Sequence, residues 1–288
     1  MINKLKADIF GDMCTMSLLH EAYTTPKPGL VDKNNNGSHT DMDVPLFEKS
    51  ALCLRSFFVD MFRIGETANN CAEDEYYQKL RAKGIEAENT MFMVTNNVNT
   101  HKGQIYSIGI LAAAMGELTS SANKVRLSEW MANASRIAQR FMEDDFAALS
   151  DNSTYGTEQY RQYGLKGIRG EAASGFKSVL QFSLPELIRR MNEGDDLETA
   201  GTYALMNLIS NVEDSCMIHR GGLKRAEEVR RQVSDAIKNG TIDREYMQKL
   251  DKEFIRDNLS PGGCADLLSI TYLFIFAYNM GFLIDIFA

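Results

Sequence analysis

Apolar residues recur at steps of three or four along much of the chain, the spacing of one buried face of an α-helix. The first run is interrupted by Pro26, Pro28 and Gly29. A second run follows Asp43, a typical N-cap residue, with Pro45 in its first turn. The first run comprises Leu5, Ile9, Met13, Met16, Leu19 and Tyr23, and the second comprises Phe47, Ala51, Leu54, Phe58 and Met61.

The rest of the chain continues this helical pattern, and no segment shows the alternation typical of strands. We therefore predict an all-α protein of about ten helices. It should form a single domain over residues 1–288, with its active site built from inter-helix loops and helix ends. The polar stretch 150–164 is predicted to be a loop that is either mobile or inert. The remaining helices are predicted over residues 73–94, 103–118, 127–149, 174–192, 197–212, 222–238, 243–256 and 263–285.

The last predicted helix contains the one stretch that resembles a membrane span. Residues 267–284 approach the roughly 20 apolar residues that a span requires. Polar residues such as Ser269, Thr271 and Asn279 interrupt it, and no basic cluster flanks it. The pattern favours a buried core helix, so no membrane association is expected.

Composition restricts the classes of partner. There are 31 Lys and Arg residues against 39 Asp and Glu, a net charge of -8, which opposes non-specific attraction to nucleic acid. The five cysteines are widely spaced and include no CxxC pair. Charged residues interrupt the N-terminal region, unlike a signal peptide. We therefore expect a cytoplasmic protein with free thiols that does not bind nucleic acid.

Glycines, histidines and acidic residues concentrate where the helical pattern breaks. They form five short segments, which we number one to five in chain order. These segments are residues 27–43, 99–103, 167–171, 213–222 and 258–266.

Segment one is a Gly- and Asn-rich loop that carries several candidate metal ligands. Asp32, His39, Asp41 and Asp43 lie within twelve residues of one another. Such a loop can direct several oxygens at one cation, as Mg²⁺ requires. Asp41 and Asp43 are equally consistent with helix capping.

Segments two and three have features of phosphate sites. In segment two, Lys102 and Gly103 open a predicted helix, where free N–H groups attract anions. In segment three, Arg169 lies between Gly167 and Gly170, which allow a ligand to approach the backbone closely. A capped helix start with a solvated lysine, and a plain flexible connector, are the respective alternatives.

Segments four and five place acidic groups beside helix ends. Asp214 precedes His219 and Arg220, so an acid and a base face each other across one turn. Asp266 lies in the first turn of the apolar last helix, either as a metal ligand or as a complement to the helix dipole. No HExxH, GxSxG or Walker motif is present.

Together the five segments resemble the triphosphoribosyl-dephospho-CoA synthase family, which makes the prosthetic-group precursor of citrate lyase or malonate decarboxylase. The resemblance covers about residues 21–275 and rests on four motifs: Lys-Pro-Gly-Leu-Val-Asp from Lys27, Asn-Thr-His-Lys-Gly from Asn99, Gly-Ile-Arg-Gly-Glu-Ala from Gly167, and Ser-Pro-Gly-Gly from Ser260. The chain departs from the usual pattern at Asn97, at Ser215 and Cys216, and at Cys264.

The resemblance implies that the 2'-hydroxyl of 3'-dephospho-CoA attacks C1' of the ATP ribose and expels adenine. It also implies a second enzyme, a holo-acyl-carrier-protein synthase, that uses the product. As a hypothesis, the site residues then fall into three groups. Catalytic candidates are Asp32, Asp214, His101, His219 and Glu171; substrate and phosphate candidates are Lys27, Lys102, Arg169, Arg220, Gly29, Gly103, Gly170, Ser38 and His39; Mg²⁺ candidates are Asp41, Asp43, Asp214 and Asp266.

Two other functions remain open from the residues alone. The first is a Mg²⁺-dependent nucleotide or ADP-ribose hydrolase, in which water replaces the hydroxyl acceptor. The second is a non-catalytic helical protein that binds a nucleotide. The sequence does not distinguish citrate from malonate metabolism and predicts no oligomeric state.

Overall fold

The structure, a computed structural model, describes residues 2–147 and 164–286. Its described part is helical, with a single isolated bridge between Val125 and Leu283 as the only β contact, which confirms the all-α prediction. The single-domain prediction for residues 1–288 stays a prediction. The helices are α1 (Ile2–Tyr23), α2 (Val44–Cys53), α3 (Arg55–Glu66), α4 (Glu73–Val94), α5 (Lys102–Thr119), α6 (Leu127–Ala147), α7 (Gly167–Ala173), α8 (Leu184–Asn192), α9 (Leu197–Asn211), α10 (Ser215–Lys238), α11 (Arg244–Arg256) and α12 (Gly262–Asn279), with a 3₁₀ turn at Ala68–Asn70 and a π-helical turn at Val179–Ser183.

Four predicted helices differ from the observed ones. The helix predicted over 222–238 begins earlier, at Ser215, and is kinked at Gly222, where φ is 79° and ψ is 160°. The second run forms two helices, α2 and α3, because the backbone makes a tighter turn at Leu54, whose N–H donates to Ala51 O at 3.2 Å. The helix predicted over 174–192 is interrupted by Gly175 and Phe176, which both have positive φ, and by the π-helical turn. The last helix ends at Asn279 instead of 285. The predicted loop over 150–164 lies outside the described residues except for Gly164.

The C-terminal helix α12 lies at the centre of the molecule. It packs against α1, α5, α7, α9 and α10, and its side chains are buried almost continuously from Leu267 to Ile275. This burial confirms the prediction of a core helix. No helix in the described ranges is long and apolar enough to span a membrane.

Helices α3 and α5 cross at very short range. A Cβ at Gly65 would lie 2.0 Å from Ala113 O, and one at Gly116 would lie 2.0 Å from Phe62 O. Only glycine permits such an approach, since any side chain would overlap the opposing backbone. The crossing fixes the position of α5, whose first turn carries segment two.

Helix α6 packs on the other side of α5 through Trp130, the only tryptophan of the chain. The indole is fully buried and its Nε1–H donates to Leu111 O at 2.8 Å. Its ring also packs against Phe10 and Phe274. One position therefore links α1, α5, α6 and α12.

Candidate active site

Segments three, four and five line one cleft of about 380 Å³. Helix α7 forms one wall and the turn between α9 and α10 forms another. Gly167, Gly170 and Glu171 contribute from segment three, Asp214 from segment four and Gly263 from segment five. The structure therefore brings together three segments that are far apart in sequence.

Asp214 ties two helix starts together at the inner end of this cleft. Its Oδ1 accepts from Met217 N at 2.9 Å, which caps α10, and its Oδ2 accepts from Cys264 N in the first turn of α12 at 2.8 Å. The side chain is buried, and burial raises its pKa against the lowering effect of these N–H donors. A Cβ at Gly263 would lie 3.0 Å from Oδ2, so Asp214 packs tightly against the backbone at this position.

Two departures from the family pattern, Cys216 and Cys264, flank Asp214. Cys216 packs closely against Gly262: a Cβ added to Gly262 would lie 3.1 Å from the Sγ of Cys216. Burial, reinforced by the nearby Asp214 carboxylate, raises the pKa of the Cys264 thiol, which therefore remains protonated at neutral pH. Cys216 is exposed, and all five cysteines of the chain are free.

Asp266 joins segment five to segment two. A Cβ at Gly103 would lie 1.8 Å from Asp266 Oδ2, so the carboxylate rests on the backbone of the first turn of α5. The group packed against this helix start is thus a carboxyl group of the protein, and the phosphate contact suggested for segment two stays a prediction. Burial raises the pKa of Asp266 well above its usual range, and the carboxylates of Glu21 and Asp214 raise it further.

Lys27 points into the core rather than towards the cleft. Its ammonium group, 2% exposed, forms an ion pair with Glu21 Oε1 and donates to Glu21 O at 2.6 Å. The sequence suggested a phosphate contact for this lysine, but in the structure its charge is already neutralised by Glu21. Burial raises the pKa of Glu21 and the positive charge of Lys27 opposes that rise.

Asp32 organises the loop of segment one. Its Oδ2 accepts from Lys27 N at 2.9 Å, and its Oδ1 accepts from Asn34 N at 2.7 Å and Asn35 N at 3.1 Å. These bonds form an Asx-type turn. Gly29, with φ +71°, packs in the same loop against Leu259 O, where a Cβ would lie only 2.4 Å away.

His39 and Arg220 connect segments one, four and five. Arg220 Nη2 donates to His39 Nδ1 at 3.2 Å. Because a guanidinium group can only donate, Nδ1 must be the acceptor and Nε2 of His39 carries the proton. Nε2 then donates to Ser260 Oγ at 2.9 Å. Arg220 Nη1 donates to Ser38 O, and Ser38 Oγ donates to Leu259 O. Burial and Arg220 lower the pKa of His39 to about 4, so the ring is neutral.

His101 is fully buried at the N-cap of α5. Its Nδ1 lies 2.6 Å from Ser50 Oγ, and its Nε2 has no hydrogen-bond partner in the described part of the chain. Burial and the charge of Lys27 lower the pKa of His101 to about 3. At neutral pH the ring holds no extra proton to donate.

The remaining candidates lie closer to the surface. Glu171 is half-buried on the cleft wall, and its Oε1 accepts from Ser178 Oγ at 2.6 Å. Arg169 lies over the Tyr106 ring at 5.4 Å. Lys102 pairs with Glu88 at 2.9 Å. His219 is exposed on α10.

The four Mg²⁺ candidates fall into two pairs. In the first pair, Asp43 caps α2 by accepting from Leu46 N at 2.9 Å, so it takes the helix-capping role that the sequence analysis gave as the alternative to metal binding. Asp41 is exposed, and its Oδ1 lies 3.9 Å from His39 Nδ1. Asp214 and Asp266 lie at the starts of α10 and α12. Within residues 2–147 and 164–286, no three acidic, histidine or cysteine side chains converge as a preformed metal site.

Neither Glu21, which lies in the core, nor Arg230, which lines the cleft, was identified from the sequence. Glu21 lies in the last turn of α1, one short loop before Lys27, and this proximity was the available signal. Arg230 lines the cleft from the middle of α10, which is rich in charged residues and lies outside the five segments. Its sequence context contains no signal of a site.

Comparison with known proteins gives extensive matches. Residues 8–282 match the family described as ATP:dephospho-CoA triphosphoribosyl transferase. The 2-(5''-triphosphoribosyl)-3'-dephosphocoenzyme-A synthase of Pectobacterium atrosepticum is 37% identical over 257 residues, covering 89% of this chain and 85% of that protein. A Streptococcus mutans protein named as a probable synthase of the same kind is 35% identical over 291 residues, covering 96% and 98%. No solved structure matches.

Proposed function

Because the chain belongs to the ATP:dephospho-CoA triphosphoribosyl transferase family, we propose that it transfers the triphosphoribosyl group of ATP to the 2'-hydroxyl of 3'-dephospho-CoA. A bond forms between the 2'-oxygen and C1' of the ribose, and the bond from C1' to adenine breaks. The hydroxyl proton passes to a base, the electron pair of the broken bond stays on the adenine nitrogen, and adenine leaves with one proton taken up at that nitrogen, so that the overall proton count is unchanged. The observation that carries the proposal is the cleft in which segments three, four and five meet around Asp214.

Glu171 is the base that this geometry favours for the acceptor hydroxyl. It lines the cleft and is half-exposed, so a substrate can reach it. The bond from Ser178 Oγ fixes its carboxylate and leaves further lone pairs free. Asp32, by contrast, already accepts three backbone N–H bonds, and His101 is sealed in the core.

We propose that Asp214 and Asp266 would hold a magnesium ion. The negative charges of Glu21 and Asp214 raise the pKa of Asp266, and a divalent cation bound there would offset this repulsion. Mg²⁺ is usually held by one or two carboxylates together with substrate phosphates and water, so a three-residue site is not required. When bound, the ion would neutralise charge on the triphosphate.

The wider role in our proposal follows the family. The product would be the prosthetic-group precursor for citrate lyase or malonate decarboxylase, and a holo-acyl-carrier-protein synthase would attach it. The free cysteines support a reducing compartment, so we propose the cytoplasm. ATP and 3'-dephospho-CoA are the expected partners.

The test is to incubate the purified protein with ATP, Mg²⁺ and 3'-dephospho-CoA, to follow adenine by chromatography and to omit each component in turn. Transfer is supported if adenine appears only in the complete mixture, together with a product whose mass equals that of ATP plus 3'-dephospho-CoA minus adenine. Ribose triphosphate formed without the acceptor would instead indicate a hydrolase, and binding without turnover would indicate a non-catalytic protein.

A variant pair tests the role of Glu171. We expect Glu171→Gln to lower kcat by about 10²–10⁴-fold, the usual contribution of a general base. The control Glu193→Gln alters a surface ion pair with Arg189 and should keep wild-type activity. Equal activity of both variants would remove Glu171 from the mechanism.

A further inference from the structure

Four arginines on α10 have different surroundings, and one of them faces the cleft. Arg225 pairs through Nη2 with two carboxylates, Glu253 at 2.5 Å and Asp257 at 2.8 Å. Arg220 is held by Ser38 and His39. The other two are neighbours, of which Arg230 lines the cleft and Arg231 does not.

The guanidinium of Arg230 is largely unused within the described residues. Its Nε is buried without a hydrogen-bond partner, and its Nη1 makes one long contact of 3.4 Å to Glu213 Oε1. Glu213 is itself 55% exposed, so this pair is weakly held. The four Nη N–H donors of Arg230 therefore make one long contact between them within the described residues, while its Nε–H is enclosed by the protein.

The lining of the cleft around Arg230 carries both signs of charge. Lys166, just before α7, is a second cation there, and Glu171, Glu213 and Asp214 contribute carboxylates. An arginine fork binds phosphoryl oxygens in a bidentate manner. A phosphoryl group bound by the Nη atoms would displace the weak contact to Glu213.

We propose that Arg230 binds a phosphoryl group of a nucleotide substrate in this cleft, with Lys166 as a second cation, and so orients the substrate towards Glu171. The proposal rests on the proposed function for the identity of the substrates. The phosphoryl group belongs either to the triphosphate of ATP or to the diphosphate of 3'-dephospho-CoA. Arg230 is thus a substrate-binding residue that lies outside all five segments.

The experiment compares Arg230→Gln with Arg231→Gln, an exposed neighbour that pairs with Glu227. Equilibrium binding of ATP and of 3'-dephospho-CoA is measured separately for each variant, and KM and kcat are measured in parallel. We expect Arg230→Gln to raise Kd and KM for one substrate by about tenfold or more, with a smaller effect on kcat, and Arg231→Gln to change neither by more than about twofold. The affected substrate identifies the source of the phosphoryl group.

Arg230→Lys keeps the charge but loses the fork, so an intermediate Kd is expected from it. If Arg230→Gln is poorly folded, this second variant decides the question. Wild-type affinity for both nucleotides in Arg230→Gln, or in Arg230→Lys when the first is unfolded, would overturn the proposal. A wild-type protein that binds nucleotide but releases no adenine would contradict the proposed function, while the binding comparison would still decide the role of Arg230.

Discussion

Asp266 rests on Gly103, with no space between the carboxylate and the backbone for even a methyl group. The contact joins the first turn of α12 to the first turn of α5 and so holds segments two and five together. It also explains why a glycine stands in the first turn of a helix, where alanine would have the higher helix propensity. The Asp266 side chain can occupy its observed position only because residue 103 is a glycine.

Gly103→Ala tests this contact. The new Cβ would lie 1.8 Å from Asp266 Oδ2, so the carboxylate must move. Because a displacement of about 1 Å can cost about 100-fold in rate, we expect a loss of kcat of that order while the helical circular dichroism stays unchanged. Steady-state adenine release measures the loss.

Gly84→Ala is the matched control for this change. Gly84 lies inside α4, and nothing lies within 4 Å of the position its Cβ would take. It should gain about 1 kcal/mol in the free energy of unfolding and keep full activity. If Gly103→Ala behaved in the same way, the contact with Asp266 would have no functional role.

The buried pair of Lys27 and Glu21 predicts a large stability effect. Lys27→Met leaves the Glu21 carboxylate in the core without its partner, and we expect a loss of about 3–5 kcal/mol in the free energy of unfolding. Adding Glu21→Gln to the same chain removes the uncompensated charge, so the double variant should regain much of the loss. Urea denaturation measures both.

The comparison for Lys27 is Lys33→Met, which removes an exposed pair with Glu198. Exposed pairs contribute about 0–1 kcal/mol, so a small change is expected there. If Lys27→Met were as mild as Lys33→Met, the ammonium group of Lys27 would not depend on Glu21, and a role at the cleft would become plausible again.

Asp266 predicts an unusual pH dependence of stability. Because the folded protein holds the Asp266 proton more tightly than the unfolded chain, the free energy of unfolding falls as pH rises from about 4 through the raised folded-state pKa. Asp266→Asn removes this ionisation. Without divalent cations, the variant should therefore be more stable than wild type at about pH 8, with the difference shrinking towards pH 4.

Urea titrations at a series of pH values, with a chelator present, measure this difference. The same variant should lose transfer activity, since it removes a carboxylate proposed to bind magnesium. A variant that is less stable than wild type across the whole range would show that the charge of Asp266 does not oppose folding.

Much of the fold follows from hydrophobic spacing alone. The 3.6-residue period is strong in α3, α8 and α11, and the continuous apolar stretch of α12 is explained by its nearly continuous burial. The breaks at Leu54, at Gly175 and in the π-helical turn were not foreseen. They depend on how a helix packs against its neighbours, and local propensity contains no such information.

The candidate site was predicted in part. Glycine-rich breaks between helices located the segments that line the cleft, because close approach of a ligand or of a second backbone requires them. The phosphate contact suggested for Lys27 came instead from the family resemblance, and the structure pairs this lysine with Glu21. Its partner Glu21 belongs to the preceding helix, and the chain reversal that joins them is a tertiary feature.

Trp130 gives this molecule a built-in spectroscopic reporter. A single indole in a dry, fully packed environment should emit at short wavelength, and exposure to water on unfolding should shift that emission to the red. It does not line the cleft, so nucleotide binding should leave the signal nearly constant. Fluorescence from this one residue therefore follows the integrity of the core where α1, α5, α6 and α12 meet, separately from occupancy of the cleft.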